Sequence, residues 1–280
     1  MSTYLKVGHM HIIDTHNHSL FELDDGAKNL QMSLDMLKAS EADGVKEVIL
    51  TPHHLNGAFI NLAGYIKNRF DSLKLHAELN NINVKLHFGS EVHLVPETVQ
   101  HLVEGKALTY AGLGKAALVE LPKHSIPMGT DSILSELIYH GITPIIAHPE
   151  RNTSLRADPG QLKEWVAFGC KSQVTGQSCT GFFGHDLQKT AFDMISAGLV
   201  HTIASDAHRP RGRSPKLSDA AKSITEHYGR DICKVLFSEN PSNLLNGNDL
   251  INITPIITKS PHKKQNKKKP GWLSQIIRPR

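Results

Sequence analysis

No uninterrupted apolar run reaches the roughly 18 residues a membrane span requires, so the chain is not expected to cross a bilayer. Met1–Thr15 lacks a basic segment, apolar run and small-residue cleavage site in series, which argues against export. Cysteine is scarce: Cys170, Cys179 and Cys233 are odd in number and irregular in spacing, so they build no disulfide framework. A reducing cytoplasm suits such a chain. None of the three can serve a cysteine-based phosphatase, which needs Arg six positions on. Gly176, His185 and Glu239 stand there instead. A Gly-x-x-x-x-Gly-Lys-Ser/Thr loop for nucleotide phosphates is missing, as is a Gly-x-Ser-x-Gly elbow for a serine nucleophile. Aromatics make up only 6%, so the core must rest on Leu, Ile, Val and Ala.

Histidine is abundant. Eighteen of 280 residues raise the expectation of metal or proton chemistry. The net charge of +4 is uneven. Lys259–Arg280 holds eight Lys and Arg and no acid, leaving the rest of the chain at −4. The basic character therefore belongs to the C-terminal segment. Without stacking aromatics interleaved among its lysines, that segment argues little for nucleic acid.

The body alternates short Ile/Val-rich runs with helical periodicity. Seven runs read as strands: 11–18, 46–54, 84–91, 116–120, 142–148, 171–175 and 199–208. Between them, Leu30, Leu34 and Leu37 recur at helical spacing and Gly44 marks a stop. Leu62, Ile66, Phe70 and Leu73 repeat the pattern, as do Ile133, Leu134, Leu137 and Ile138. Alternating strands and helices imply an α/β fold with a parallel sheet. Seven units over about 240 residues point to a barrel resembling the (β/α)8 type, with an open doubly wound sheet as the alternative. Residues 1–250 are assigned to this domain and 251–280 to a basic tail. The Lys- and Pro-rich stretch 260–270 reads as disordered. The last ten residues read as a solvated end or a short anchor through Trp272, Leu273, Ile276 and Ile277.

Six of the seven runs end in groups that bind divalent ions. His16 and His18 are two apart and share one face of a strand. Asp24-Asp25-Gly26 follows, able to supply a carboxylate or to be an ordinary turn. His53, Glu91, Glu120, His148 and the pair Asp206/His208 end the other runs. One such acid could be a solvated strand end. Six, brought to one rim by a parallel barrel, point instead to two or three ions. Arg151 and Arg213 follow closely, where guanidinium groups suit the spare oxygens of a phosphate.

These residues resemble the PHP (polymerase and histidinol phosphatase) superfamily. Within it, they are most similar to the bacterial manganese-dependent protein-tyrosine phosphatases of capsule and exopolysaccharide loci. The resemblance spans about Ile12 to Leu245. It is carried by Asp14-Thr15-His16-Asn17-His18, Asp24-Asp25-Gly26, Thr51-Pro52-His53 and Gly89-Ser90-Glu91. Ile146 to Arg151, Ala204 to His208 and Glu239-Asn240-Pro241 continue it. It implies a distorted (β/α)7 TIM-like barrel of the PHP type, with Mn2+ held by His16, His18, Asp25, His53, Glu91, Glu120, His148, Asp206 and His208. Arg151 and Arg213 are implied as phosphate contacts. His53 is a further catalytic candidate: it or His208 could assist the leaving group where the metal does not occupy it fully. The implied partner is a tyrosine-phosphorylated protein, a bacterial tyrosine autokinase at the inner membrane surface, which the basic tail could touch. Asp24-Asp25-Gly26 stands where the histidinol phosphatase branch has a further His. His54, where relatives often carry Arg, and the basic tail depart from the pattern. Rival readings are a small-molecule phosphatase of the histidinol-phosphatase type and a non-catalytic module that docks a kinase.

Overall fold

A computed structural model describes residues 10–256. The expectations for residues 260–280 lie outside them. The strands are β1 (Ile12–Asn17), β2 (Val45–Leu50), β3 (His53–His54), β4 (Lys85–Phe88), β5 (Glu91–His93), β6 (Ala116–Glu120), β7 (Thr143–Ala147), β8 (Lys171–Thr175) and β9 (Thr202–Ala204). Every pairing is parallel. β1, β2 and β4 make one sheet, and β3, β5, β6, β7, β8 and β9 a second.

The seven runs read from the sequence appear as nine strand segments because two of them break. Pro52 has no N–H to continue a ladder and interrupts β2 before β3. Gly89-Ser90 interrupts β4 before β5 at the neighbouring level. Both lines continue past the break, with Gly89 N donating to Leu50 O (2.8 Å) and Glu91 N to Pro52 O (3.1 Å). At the other edge β1 meets the chain beyond β9. Asp206 N donates to His16 O (2.8 Å), His18 N donates to Ala207 O (2.9 Å), and Asn17 and Ala207 form a parallel bridge.

Strand alternation sorts the core into two sides. Val48, Leu50, Val119, Ile146, Val174 and Ile203 pack with helix residues such as Ile66, Leu73, Leu134 and Trp165. Ile49, Leu118, Ile145 and Ala147 point the other way and form a separate cluster with Tyr110, Leu244 and Leu250. The three helical patterns correspond to Leu30–Ala42, Ala63–Leu79 and Thr130–Tyr139, whose buried residues include Leu34, Leu37, Ile66, Phe70, Leu73, Leu134 and Leu137. Asn29 caps the first, accepting from Met32 N. Gly44, at φ 93°, takes the left-handed turn that follows it. Ile253 is buried, and Ile256 N donates to Ser196 O (2.7 Å), so the chain stays against the body after residue 250. Among the described residues no helix is long and apolar enough to cross a membrane.

Candidate metal centre

All nine sequence-assigned ligands converge, His16 and Glu120 from strand ends, His53 and Glu91 from the first positions of β3 and β5, and Asp25 from the loop after β1. Glu91 stands at the centre and is fully buried. Its Oε2 lies 3.1 Å from His16 Nε2, 3.3 Å from His18 Nε2 and 3.0 Å from His53 Nδ1. Its Oε1 lies 3.0 Å from His148 Nε2. Glu120 Oε2 is 3.7 Å from His53 Nδ1, and Oε1 is 3.7 Å from His148 Nε2. Asp206 Oδ1 is 3.4 Å from His16 Nε2 and 3.6 Å from His208 Nδ1. Asp25 Oδ1 is 3.3 Å from His208 Nε2 and 3.5 Å from His53 Nε2.

Local backbone explains how some of these groups arrive. In an uninterrupted strand His148 would share the outward face of Ile146. Its backbone instead turns left-handed (φ 32°, ψ 55°), and the imidazole reaches Glu91. Asp206 is also left-handed, at φ 50°. Such conformations are costly for residues with a Cβ and persist where the surroundings impose them. Gly26 is required for space: a Cβ there would sit 2.1 Å from His18 O and 2.8 Å from Asp24 Oδ1. Gly26 N donates to Asp24 Oδ1 (2.8 Å), folding the turn against the His18 strand end.

The imidazoles are oriented by residues that the sequence reading did not single out as site residues. Gln173 Oε1 accepts from His16 Nδ1 (2.8 Å) and Asp24 Oδ2 from His18 Nδ1 (2.7 Å). Each bond leaves Nε2 facing the cluster, the arrangement that makes a histidine a metal ligand. Asp24 Oδ2 also accepts from His53 N (3.0 Å), so the first acid of the Asp24-Asp25 pair braces two ligands while the second faces the site. His93 Nδ1 contacts Glu120 Oε2 at 3.2 Å. Asp14, buried, accepts from Ser205 N (2.8 Å) and from Asn17 Nδ2 (2.9 Å), tying β1 to the segment that bears Asp206. Gln173 was legible in principle, as a polar residue in register with Ala147 on the strand that offered no ligand.

The two arginines converge as well. Arg151 Nη1 and Arg213 Nη2 both donate to Asp206 Oδ2, the latter at 2.6 Å. Arg151 also lies over the Phe183 ring, 5.7 Å from its centroid.

Electrostatics are strained in the manner of a cation site. Burial alone would raise the Glu91 carboxyl, yet the His16 and His53 charges and the His148 hydrogen bond hold it well below the usual carboxylate range. Burial opposes ionisation of Asp206 in the same way and is outweighed by His16, Arg213 and Arg151. The close approach of His208 lowers Asp25. Burial opposes the charge on His18, but Asp24 and Glu91 raise it well above its ordinary value. Burial and the charge of His18 push His208 down to about 4.

The donor set fits divalent ions. Three groups each place single ligand atoms within 4.8 Å of one another: His18, Asp25, His53 and His208; His16, His18 and Glu91; and His53, Glu91 and Glu120. Glu91 Oε2, Asp25 Oδ1 and His53 Nδ1 are buried with no hydrogen-bond partner, although basic or acidic atoms lie close by. Close approach without hydrogen-bond geometry is what a shared cation would satisfy.

A family model described as capsular polysaccharide synthesis, CpsB/CapC, matches residues 12–246. The chain belongs to the CpsB/CapC family. Tyrosine-protein phosphatase YwqE of Bacillus subtilis (strain 168) is 31% identical to this CpsB/CapC chain over 244 residues, 87% of this chain and 95% of the relative. Tyrosine-protein phosphatase CpsB of Streptococcus agalactiae serotype III (strain NEM316) is 30% identical over 239 residues, 84% and 98% of the two chains. A crystal structure from work on YwqE of Bacillus subtilis and CpsB of Streptococcus pneumoniae, metal-dependent tyrosine phosphatases, superposes with a TM-score of 0.84 at 30% identity. It covers 89% of this CpsB/CapC chain and 100% of the other. The phosphotriesterase of Mycobacterium tuberculosis shares the fold at TM-score 0.54 and 11% identity, over 84% of this chain and 94% of that one.

Proposed function

We propose that this protein is a metal-dependent protein-tyrosine phosphatase of capsule or exopolysaccharide synthesis, with a tyrosine-phosphorylated bacterial autokinase as its substrate. The observation that carries the reading is Glu91 Oε2, buried and within 3.3 Å of nitrogens from His16, His18 and His53 without a hydrogen bond to any of them. His16, His18, Asp25, His53, Glu91, Glu120, His148, Asp206 and His208 would hold two or three divalent ions, Mn2+ first among them.

Bound ions would supply an acidified water as nucleophile near neutral pH. Arg151 and Arg213 turn from Asp206 to the phosphoryl oxygens and neutralise charge there as the bond from phosphorus to the phenolic oxygen breaks. The phenolate departs readily because phenol titrates at about 10. His53, whose Nε2 faces the half-exposed Asp25, would hold a proton for the leaving oxygen where a metal does not fully occupy it.

On this reading the two sheets form one distorted (β/α)7 TIM-like barrel of the PHP type. The His16–Asp206 and His18–Ala207 backbone bonds support its closure. The phosphoesterase domain takes in residues 1–250 and the packed residues that follow as far as Ile256, and the basic residues beyond would offer a contact to the cytoplasmic membrane surface.

The test is turnover of a phosphotyrosine peptide after chelation and readdition of manganese, beside histidinol phosphate as competitor substrate. Manganese should restore hydrolysis of the peptide in preference to the metabolite. No turnover with any divalent ion would remove the enzymatic reading.

A further inference from the structure

A metal cluster that attacks phosphorus does not by itself select the alcohol of the ester. Selection falls to the side chains beside it. On one side Glu120, Leu121, Lys123, Ala147, His148 and Arg151 line a small cavity next to the cluster, which offers no Phe, Tyr or Trp ring. The His53 side differs. The loop that follows β3 carries Phe59 and Ile60, and Ile60 is 68% exposed.

Phe59 is half-buried, and its ring lies parallel to the His53 imidazole, with planes 8° apart and centroids 6.4 Å apart. The backbone around it is fixed. Asn56 Oδ1 accepts from Phe59 N (2.9 Å) and from Ala58 N (3.1 Å). Asn61 Nδ2 donates to the carbonyls of His53 and Leu23, each at 2.8 Å. The loop is thus tied, two residues after the phenyl ring, to the strand end that presents His53. Phe183, also near the cluster, already carries the Arg151 guanidinium on its face.

We propose that Phe59 is a specificity-determining residue whose ring packs against the phenyl ring of a phosphotyrosine seated at the His53 side of the cluster. The proposal rests on the tyrosine phosphatase reading. The tyrosyl ring begins one ester oxygen from phosphorus, so it must lie beside the ligand that flanks the leaving group. An alkyl phosphate such as phosphoserine offers no ring to this wall. Aromatic pairs of this kind correspond to a discrimination of about tenfold.

The experiment compares kcat/KM for one peptide sequence carrying phosphotyrosine or phosphoserine, in manganese-loaded wild type, Phe59→Ala and Phe59→Trp. Phe59→Ala should lower the tyrosine-to-serine ratio about tenfold, chiefly through KM for phosphotyrosine. Its manganese content should match wild type, and Phe59→Trp should restore the ratio. An unchanged ratio in Phe59→Ala, with both peptides slowed alike, would make Phe59 a mere support for His53 and overturn the proposal. Wild type that turns over neither peptide with any divalent ion would instead overturn the phosphatase reading, and this proposal with it.

Discussion

Asp206 divides its carboxylate between two kinds of partner: Oδ2 accepts from both Arg151 and Arg213, while Oδ1 lies 3.4 Å from His16 Nε2. One side chain thereby joins the arginine pair to the candidate metal cluster. Either arginine is already oriented toward the site before substrate arrives, which limits the ordering required on binding.

Removing Arg213 should therefore separate phosphate recognition from metal retention. We expect Arg213→Ala to keep its manganese and to lose about 10- to 100-fold in kcat/KM on an aryl phosphate, the scale of one charge-assisted hydrogen bond. Steady-state kinetics with parallel elemental analysis checks this. Wild-type kinetics in the variant would end the assignment.

Asp24 gives a second test, aimed at the bond between His18 Nδ1 and Asp24 Oδ2. Groups that orient a ligand imidazole are typically worth about 10- to 100-fold in metal affinity. Asp24→Ala should weaken manganese binding on that scale, and Gln173→Ala by less because a neutral amide orients His16. Titration against a chelator of known affinity reads both. Equal affinity in Asp24→Ala and wild type would show that His18 needs no such brace.

Acid stability offers a third, away from the metal cluster. His201 is fully buried, its Nδ1 accepts from Ser172 N (3.2 Å), and its Nε2 faces Asn252 Oδ1 (3.2 Å). A proton on Nδ1 would oppose that N–H, and burial pushes the ring down from 6.5 to about 4. The unfolded chain takes up this proton as pH falls below its ordinary value, while the folded protein resists until about 4. Stability from this group is thus complete above pH 6.5, falls between 6.5 and about 4, and levels off below. The loss is at most about 3 kcal/mol. Urea unfolding of metal-stripped protein across that window should show a shallower pH slope in His201→Gln than in wild type. Identical slopes would refute the account.

How much the sequence discloses depends on which physical rule places each residue. The convergence of candidate ligands was legible where alternation and a parallel topology bring His16, His18 and Glu120 to one rim. The α/β pattern was legible for the same reason. The break at Pro52 was not read, although the missing N–H was visible in the sequence, so two single strands were expected where two broken ones occur. The division of labour between Asp24 and Asp25 lay beyond spacing arguments, since adjacent acids in a turn differ only in where the turn aims them. The left-handed turn at His148 was equally hidden, because periodicity alone would aim that ring outward. Loop geometry hid Phe59 too, which depends on the carbonyls that Asn61 finds.

The junction of Asn17 with Ala207 has a consequence for biosynthesis. The first strand emerges from the ribosome early, yet the segment that pairs with its end and supplies Asp206 and His208 is made some 190 residues later. Until then His16 and His18 have only part of their company, and an ion held by these proposed ligands alone would have few donors. On the proposed ligand assignment, selection of a metal would therefore belong to the finished polypeptide rather than the nascent one.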